Sequence, residues 1–277
     1  MNAIITSPLL LTPYSLLLTP MPPSPRNISN YDLIIFDLDG TLAPSKSPLE
    51  PDMAELIIKL IAKIKVAVIS GGGYPQFGTQ FLNGLPTSSS SENFSNLFLL
   101  PTSGTCLYAW KGMWCEQYNE KLSPQEKANI KQAFCDSLKA AGYVRPEKTY
   151  GEILEDRGSQ ITFSAYGQSA PLMLKSAWDP GRTKRAKIVE ILQPKIPRYD
   201  VRIGGTTSID VTPRGVNKAY GIRKLEEYLK ISQDRIVFVG DALYQGGNDY
   251  PAKATGVDCI QVKGPEETKL LIQAWLR

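Results

Sequence analysis

Histidine is absent from all 277 residues, and the absence removes whole classes of chemistry. Ser-His-Asp and Cys-His nucleophiles, phosphohistidine intermediates and every zinc site with an imidazole ligand are excluded, so acid–base work falls to carboxylates, Lys or Tyr. Cysteine is scarce: Cys106, Cys115, Cys135 and Cys259 are scattered, with no C-x-x-C pair. In so long a chain they read as reduced thiols filling apolar space, although Cys106 and Cys115 are spaced to face each other across a hairpin. Reduced thiols favour the cytoplasm. An excess of charge of one sign is also missing. The 31 basic and 27 acidic residues leave a net charge of +4, which makes no case for a nucleic-acid arm or a polybasic membrane anchor. No apolar run reaches the ~18 residues of a membrane span. Even the Leu-rich N-terminus is cut by Pro8, Pro13, Pro20, Pro22, Pro23 and Pro25, and it lacks the basic start and continuous apolar stretch of a signal peptide. Residues 1–27 are therefore expected to be a disordered tail, with Met21 as a candidate start of translation that an intact mass would test.

What the chain does have is a set of short continuous apolar runs, each ending in polar residues. Residues 33–36 are Leu-Ile-Ile-Phe, followed by Asp37-Leu38-Asp39-Gly40-Thr41. Such a run fits a strand buried on both faces, as in a parallel sheet with helices over each side. Side chains two apart on an extended chain point the same way, so Asp37 and Asp39 emerge together at the carboxyl end, where open α/β sheets place their ligands. Paired carboxylates there suit a hard cation, a nucleophile or a proton carrier. They do not make a calcium loop, because the sixth and twelfth positions from Asp37 are Leu42 and Pro48 rather than Gly and Glu. The plain alternative is a strand end with solvated acids.

Helical spacing over 51–64 predicts a crossover helix, and Val66-Ala67-Val68-Ile69 predicts a second buried strand ending in Ser70-Gly71-Gly72-Gly73. Strand, helix and strand in so short a span make a right-handed parallel unit the expectation. A dinucleotide loop fails, since its last glycine would fall on Gln76, and no phosphate-loop Gly-Lys-Ser/Thr motif exists. A hydroxyl followed by free backbone amides is suited instead to a phosphoryl oxygen, which makes Ser70 and Gly71 candidates. Further on, 74–82 reads as a helix, 86–96 as a surface loop, 97–100 as a third buried strand and 107–118 as a hairpin turning at Lys111-Gly112.

From 119 to 208 alternation replaces continuous runs. Ser123, Pro124 and Glu126 form a capping box for a helix ending near Ala141 before Gly142. Residues 161–166 alternate like a half-exposed antiparallel strand, Asp179-Pro180 opens a second helix through Leu192, and 199–203 and 206–211 read as strands. Two helices on an antiparallel sheet make an α+β insert, read here as a lid. The first pattern then resumes, with Lys218 opening a helix over 219–229, a continuous strand at 236–239 running into Gly240-Asp241, then Asn248-Asp249, and a last strand and helix at 259–262 and 265–276. Each of these polar residues has a plainer role. Asn248-Asp249 would cap a helix and Asp210 would be a turn acid, whereas Lys218 at a helix start opposes the dipole unless an anion is near.

A strand-end Asp-Leu-Asp-Gly-Thr, a strand-end Ser, a helix-opening Lys and a strand-end Gly-Asp followed by Gly-Asn-Asp resemble, in that order, the four motifs of the haloacid dehalogenase superfamily of phosphotransferases. The resemblance spans 31–277, and the insert resembles the caps of the branch (subfamily IIB) that holds sugar-phosphate phosphatases and eukaryotic-type phosphomannomutases. It implies an α/β fold: a Rossmann-like parallel-sheet core formed by 28–118 and 209–277, with an inserted α+β cap at 119–208. It implies Asp37 as nucleophile, Asp39 as general acid and base whose carbonyl also meets the metal, and Ser70, Gly71 and Lys218 as phosphate-binding groups. Mg²⁺ is the implied cofactor, held by Asp37, Asp39 and Asp241 with Asn248 and Asp249 ordering its surroundings. In the cap, Arg157 matches a phosphomannomutase arginine that grips the remote phosphate, while Gln168 and Lys175 stand at two further positions of this kind. Arg182, Lys184, Arg185 and Lys187 are alternative cations, though a solvated helix face is their plainer reading. Arg157, Lys175 and Asp210 are thus the substrate-binding candidates. The leading expectation is a Mg²⁺-dependent phosphatase of a sugar phosphate or similar small metabolite, acting through an aspartyl-phosphate; phosphomannomutase is the alternative, and a non-catalytic phosphate-binding module a third reading. The expected partner is a small phosphoester, with no nucleic acid and no membrane, and a homodimer is possible through an apolar patch on the cap.

Overall fold

Leu33–Asp37 (β1) lies inside a seven-stranded sheet in the computed structural model, which describes residues 27–85 and 91–277. The expected tail and the Met21 start fall almost entirely outside the described residues. From β1 the chain enters helix Pro51–Ile61 (α1) and returns as strand Lys65–Ile69 (β2), parallel to β1 with Ile34 opposite Val66. Helix Tyr74–Gln80 (α2) leads to strand Leu97–Leu100 (β3), and the hairpin Cys106–Trp110 (β4) and Trp114–Asn119 (β5) closes that edge. Next come helix Pro124–Ala141 (α3), strands Leu154–Asp156 (β6) and Ile161–Ser164 (β7), helices Leu172–Trp178 (α4) and Thr183–Leu192 (α5), and strands Tyr199–Gly204 (β8) and Ser208–Pro213 (β9). Helix Lys218–Leu229 (α6), strands Ile236–Gly240 (β10) and Asp258–Gln261 (β11) and helix Pro265–Leu276 (α7) finish the chain.

The large sheet has the order β11-β10-β1-β2-β3-β4-β5, parallel from β11 to β3. Its two faces carry separate apolar clusters, which is why its strands read as unbroken apolar runs. Ile34 and Phe36 pack with Met53, Ile57, Leu60 and Trp275 of α1 and α7, while Leu33 and Ile35 pack with Ile222 and Leu225 of α6. All parallel strands therefore present their carboxyl ends on one rim. Cys115 pairs with Ala109 and Cys106 with Asn119, so the two thiols do not face each other across the hairpin.

The second sheet, β6-β7-β9-β8, is antiparallel and packs one face on α3 and α5 through Phe134, Phe163, Ile188, Leu192 and Val211. Two expectations are corrected here. The insert does not end at 208, because Ser208–Pro213 pairs along its length with β8, and through Ser208–Val211 with β7. Nor is 161–164 half-exposed: Thr162 and Ser164 are buried as well as Ile161 and Phe163. The alternation is real, but the polar face of this sheet is covered by the rim of the core rather than by water. Arg185, read as part of a solvated face, is instead buried; its Nε donates to Asp179 Oδ2 at 2.9 Å and its Nη1 to the carbonyls of Gly204 and Gly205. The helix starts at Thr183 because Asp179 accepts the N–H groups of Lys184 and Arg185 from outside it. No helix among the described residues is long and apolar enough to cross a membrane.

Candidate active site

Adjacent parallel strands bring the acids together. Phe36 lies opposite Val239, so the tips of β1 and β10 deliver Asp37 and Asp241 to one place. Thr41 Oγ1 sits 3.3 Å from Asp37 Oδ2 and 3.4 Å from Asp241 Oδ1, and accepts the Asp241 N–H at 3.1 Å. Gly40 adopts φ +88°, and a Cβ there would lie 2.7 Å from Asp241 Oδ2, so the turn after Asp39 can pass the second acid only without a side chain.

Lys218 is the first residue of α6, whose N-terminus Asn217 caps by accepting the Tyr220 N–H at 3.1 Å. The helix is drawn onto the rim by two facing glycines. A Cβ on Gly221 would lie 2.7 Å from the Ser103 carbonyl oxygen, and one on Gly104 would lie 2.3 Å from Gly221 Cα. The Lys218 ammonium, buried, donates to both Asp37 Oδ1 and Asp249 Oδ1, and Asp249 Oδ2 accepts the Ala242 N–H at 3.0 Å. Burial, opposed by Lys218 and helped by the charges of Asp249 and Asp39, pushes the Asp37 carboxyl upward. Burial also raises Asp241, with Asp249 adding to it. For Lys218 burial acts downward, yet the two carboxylates it touches hold its proton and raise it.

Carboxylate oxygens of Asp37, Asp241 and Asp249 all lie within 4.8 Å of one another. Among the described residues a single ammonium pairs with any of these three acids, and the surplus negative charge on an all-oxygen donor set fits a hard divalent cation. Asn248 is exposed on the turn that carries Asp249 inward. The Asp39 carboxylate is outside this cluster. Its Oδ1 accepts the Lys46 N–H at 2.7 Å and Gln80 Nε2 at 3.1 Å, and its Oδ2 lies 3.3 Å from Ser70 Oγ and from Gln76 Nε2.

The loop after β2 is held by its carbonyls. Ser70 O accepts the Ser103 N–H and Gly72 O the Thr102 N–H, both at 2.9 Å, while Gly71 O accepts Arg157 Nη1 at 2.9 Å and Gln160 Nε2 at 3.3 Å from the cap. With these peptide planes fixed, the Gly71 N–H has no partner among the described residues, as an anion-binding amide requires.

Over this rim lies the polar face of the cap sheet. Arg157 reaches the Gly71 carbonyl while its Nε and Nη2 pair with Glu155 at 2.9 and 2.8 Å. Asp210 Oδ1 accepts Thr162 Oγ1 at 2.8 Å and Gln160 Nε2 at 2.9 Å. Lys175 is turned onto the main-chain carbonyl of Gln168, and burial, with the Lys46 charge adding, pushes its ammonium down to about 8. Sequence reasoning missed two residues of this face. Lys46 donates from the core to Gln168 Oε1 at 3.0 Å, and only its nearness in sequence to Asp39 hinted at a role. Gln160 carried no signal beyond its place three residues after Arg157.

Residues 53–277 match the family described as Eukaryotic phosphomannomutase. Phosphomannomutase of Schizosaccharomyces pombe is 30% identical over 231 residues, covering 79% of this chain and 83% of that one, and Phosphomannomutase 1 of Homo sapiens is 29% identical over 223 residues, covering 79% and 81%. A haloacid dehalogenase-like hydrolase from Bacteroides thetaiotaomicron shares the fold with a TM-score of 0.59 at 14% identity, covering 88% of this chain and 98% of that one. A mostly parallel sheet bearing acids at its rim, an α/β cap and a family match that runs through both make the chain a haloacid dehalogenase superfamily phosphotransferase that belongs to the eukaryotic phosphomannomutase family.

Proposed function

We propose that the protein is a phosphomannomutase-type enzyme that moves a phosphoryl group between positions of a hexose phosphate through Asp37. The observation that carries phosphoryl transfer is Asp37 held against Lys218 at the tips of β1 and β10, beneath a cap tied to the Gly71 carbonyl. The choice of a mutase rests on similarity to relatives that bear that name.

Asp37 attacks phosphorus in line; the ester P–O bond breaks, its electron pair leaves on the hexose oxygen, and that oxygen takes a proton from Asp39, giving an aspartyl-phosphate and a free hydroxyl. In the reverse direction a different hexose hydroxyl gives its proton to Asp39 and takes the phosphoryl group, so the net result is isomerisation. Lys218, the Ser70 hydroxyl and the Gly71 N–H stabilise the equatorial oxygens of the phosphoryl group in flight. Asp37, Asp241 and Asp249, with the main-chain carbonyl of Asp39, would hold Mg²⁺. When bound, that ion supplies charge neutralisation at the phosphoryl oxygens. On this reading Asp210 would meet a sugar hydroxyl, Arg157 is the cap-side cation, and Lys46 faces the cap from the core.

Hydrolysis is the second reading, and a specific observation favours it. Gln168 stands where the resemblance calls for an arginine, Lys175 is spent on a carbonyl, and Arg157 is paired with Glu155, which leaves little charge for a second phosphate. A phosphorus NMR time course with mannose 1-phosphate, Mg²⁺ and a trace of hexose bisphosphate separates the two. Mannose 6-phosphate without free phosphate is expected; free phosphate in its place would establish the hydrolase. No signal change relative to Asp37→Asn across a panel of phosphoesters would leave only the non-catalytic reading.

A further inference from the structure

Gln160 is buried at the junction of cap and core and is overcommitted. Its Nε2 lies 2.8 Å from Thr162 Oγ1, 2.9 Å from Asp210 Oδ1 and 3.3 Å from the Gly71 carbonyl. A carboxylate and a carbonyl only accept, so the nitrogen end of the amide must face them, and it has two hydrogens for three acceptors. The longest contact is the one that crosses from cap to core. Meanwhile Asp210 Oδ1 already receives the Thr162 hydroxyl at 2.8 Å. A third donor arriving at that oxygen competes with Gln160 and frees an N–H for Gly71.

We propose that Gln160 is a positioning residue that couples recognition of a sugar hydroxyl at Asp210 to the grip of the cap on the phosphate loop at Gly71. Arg157 gives that loop a constant tie at 2.9 Å, and Gln160 gives the variable one. A hydroxyl-bearing substrate would thereby tighten the loop that receives its own phosphoryl group. A phosphoester without hydroxyls would leave the Gln160 amide where it is. This inference rests on the reading of the site as one that acts on sugar phosphates.

The test compares two substrates on wild type and Gln160→Met, which keeps the length of the side chain and removes its donors. With mannose 1-phosphate, Mg²⁺ and a trace of hexose bisphosphate, kcat is expected to fall about 10-fold, the upper weight of one hydrogen bond to a main-chain carbonyl, while p-nitrophenyl phosphate hydrolysis stays within about 2-fold. Equal losses on both substrates would mark a merely structural residue and overturn the coupling, as would no loss on the sugar. If the wild type leaves mannose 1-phosphate untouched, the sugar assignment falls on its own. The tie itself is then judged by hydrogen exchange over 69–77 in the ligand-free proteins: faster exchange in Gln160→Met supports it and unchanged exchange overturns it.

Discussion

The two sheets of this protein solve burial differently. In the seven-stranded sheet both faces are apolar, so chemistry is confined to the rim, where side chains escape the layers above and below. In the four-stranded sheet one face is apolar, while the other carries Thr162, Ser164, Ser208 and Asp210 under cover of the core. The first arrangement fixes a few acids in space with the stiffness of a doubly packed core. The second spreads donors and acceptors over a surface that meets the core through polar contacts such as Arg157 to Gly71 and Lys46 to Gln168, contacts of a kind that water can replace. On the proposed reading, reaction belongs to the rim, and choice of substrate to the face.

If that division holds, damage at the rim should silence chemistry and leave the cap folded. Asp37→Asn is expected to lower phosphoryl transfer at least ~10³-fold, measured by phosphorus NMR, with the near-ultraviolet circular dichroism of the cap aromatics unchanged. A cap that melts in this variant would break the comparison. The converse experiment strikes the support of the cap. Burial alone would push Asp179 up, but the hydrogen bonds of Arg185 and of the Lys184 and Arg185 N–H groups leave it below its ordinary range. Removing it in Asp179→Ala strands a buried guanidinium and should cost about 3–5 kcal/mol in urea unfolding. The same lowered carboxyl means that the unfolded chain takes up the proton first. The stabilisation is present above about pH 4 and lost as pH falls further, and a wild-type urea series that shows no such loss would contradict the pairing.

Smaller effects sharpen the division within the cap. Gln168→Arg is expected to tighten binding of a hexose bisphosphate about 10-fold relative to the monophosphate in calorimetry, since a guanidinium can take a phosphate bidentately. Equal changes for both ligands would move Gln168 out of the substrate face. Ser123 accepts the Glu126 N–H and Glu126 returns the bond to the Ser123 N–H. Losing this reciprocal cap in Ser123→Ala should cost about 1 kcal/mol in urea unfolding, with kcat unaltered.

The core was legible because its signals are local. Leu97–Leu100 emerges where its apolar run places it, as do Leu33–Asp37 and Ile236–Gly240, each ended by the polar residues next to it in sequence. Asp37, Lys218, Asp241 and Asp249 could be gathered because their order resembles the four superfamily motifs, and the parallel strands that share one rim bring Asp37 and Asp241 together. The cap resisted for the opposite reason. Alternation over 161–164 distinguishes two faces but does not say what covers the second, and the cover comes from a loop some 90 positions away: Gly71 and Gln160 are 89 apart. Arg185 looked like any cation on a helix, and its burial is made tolerable by Asp179 together with the carbonyls of the turn at Gly204 and Gly205.

The placement of β1 between β2 and β10 also sets a timetable. Thr41 and Asp241, which touch, are 200 positions apart, so at ~5–20 residues per second the ribosome needs ~10–40 s to supply the second after the first. Throughout that interval the β10-facing edge of β1 is bare, an apolar strand edge open to any other extended chain. The cap, contiguous between those positions, is complete before the edge is closed. A nascent chain of this protein must therefore carry a finished lid above an unfinished floor, and its demand for chaperoning falls on the residues around Leu33–Asp37 until the last 40 or so residues, beginning with Ile236, have emerged.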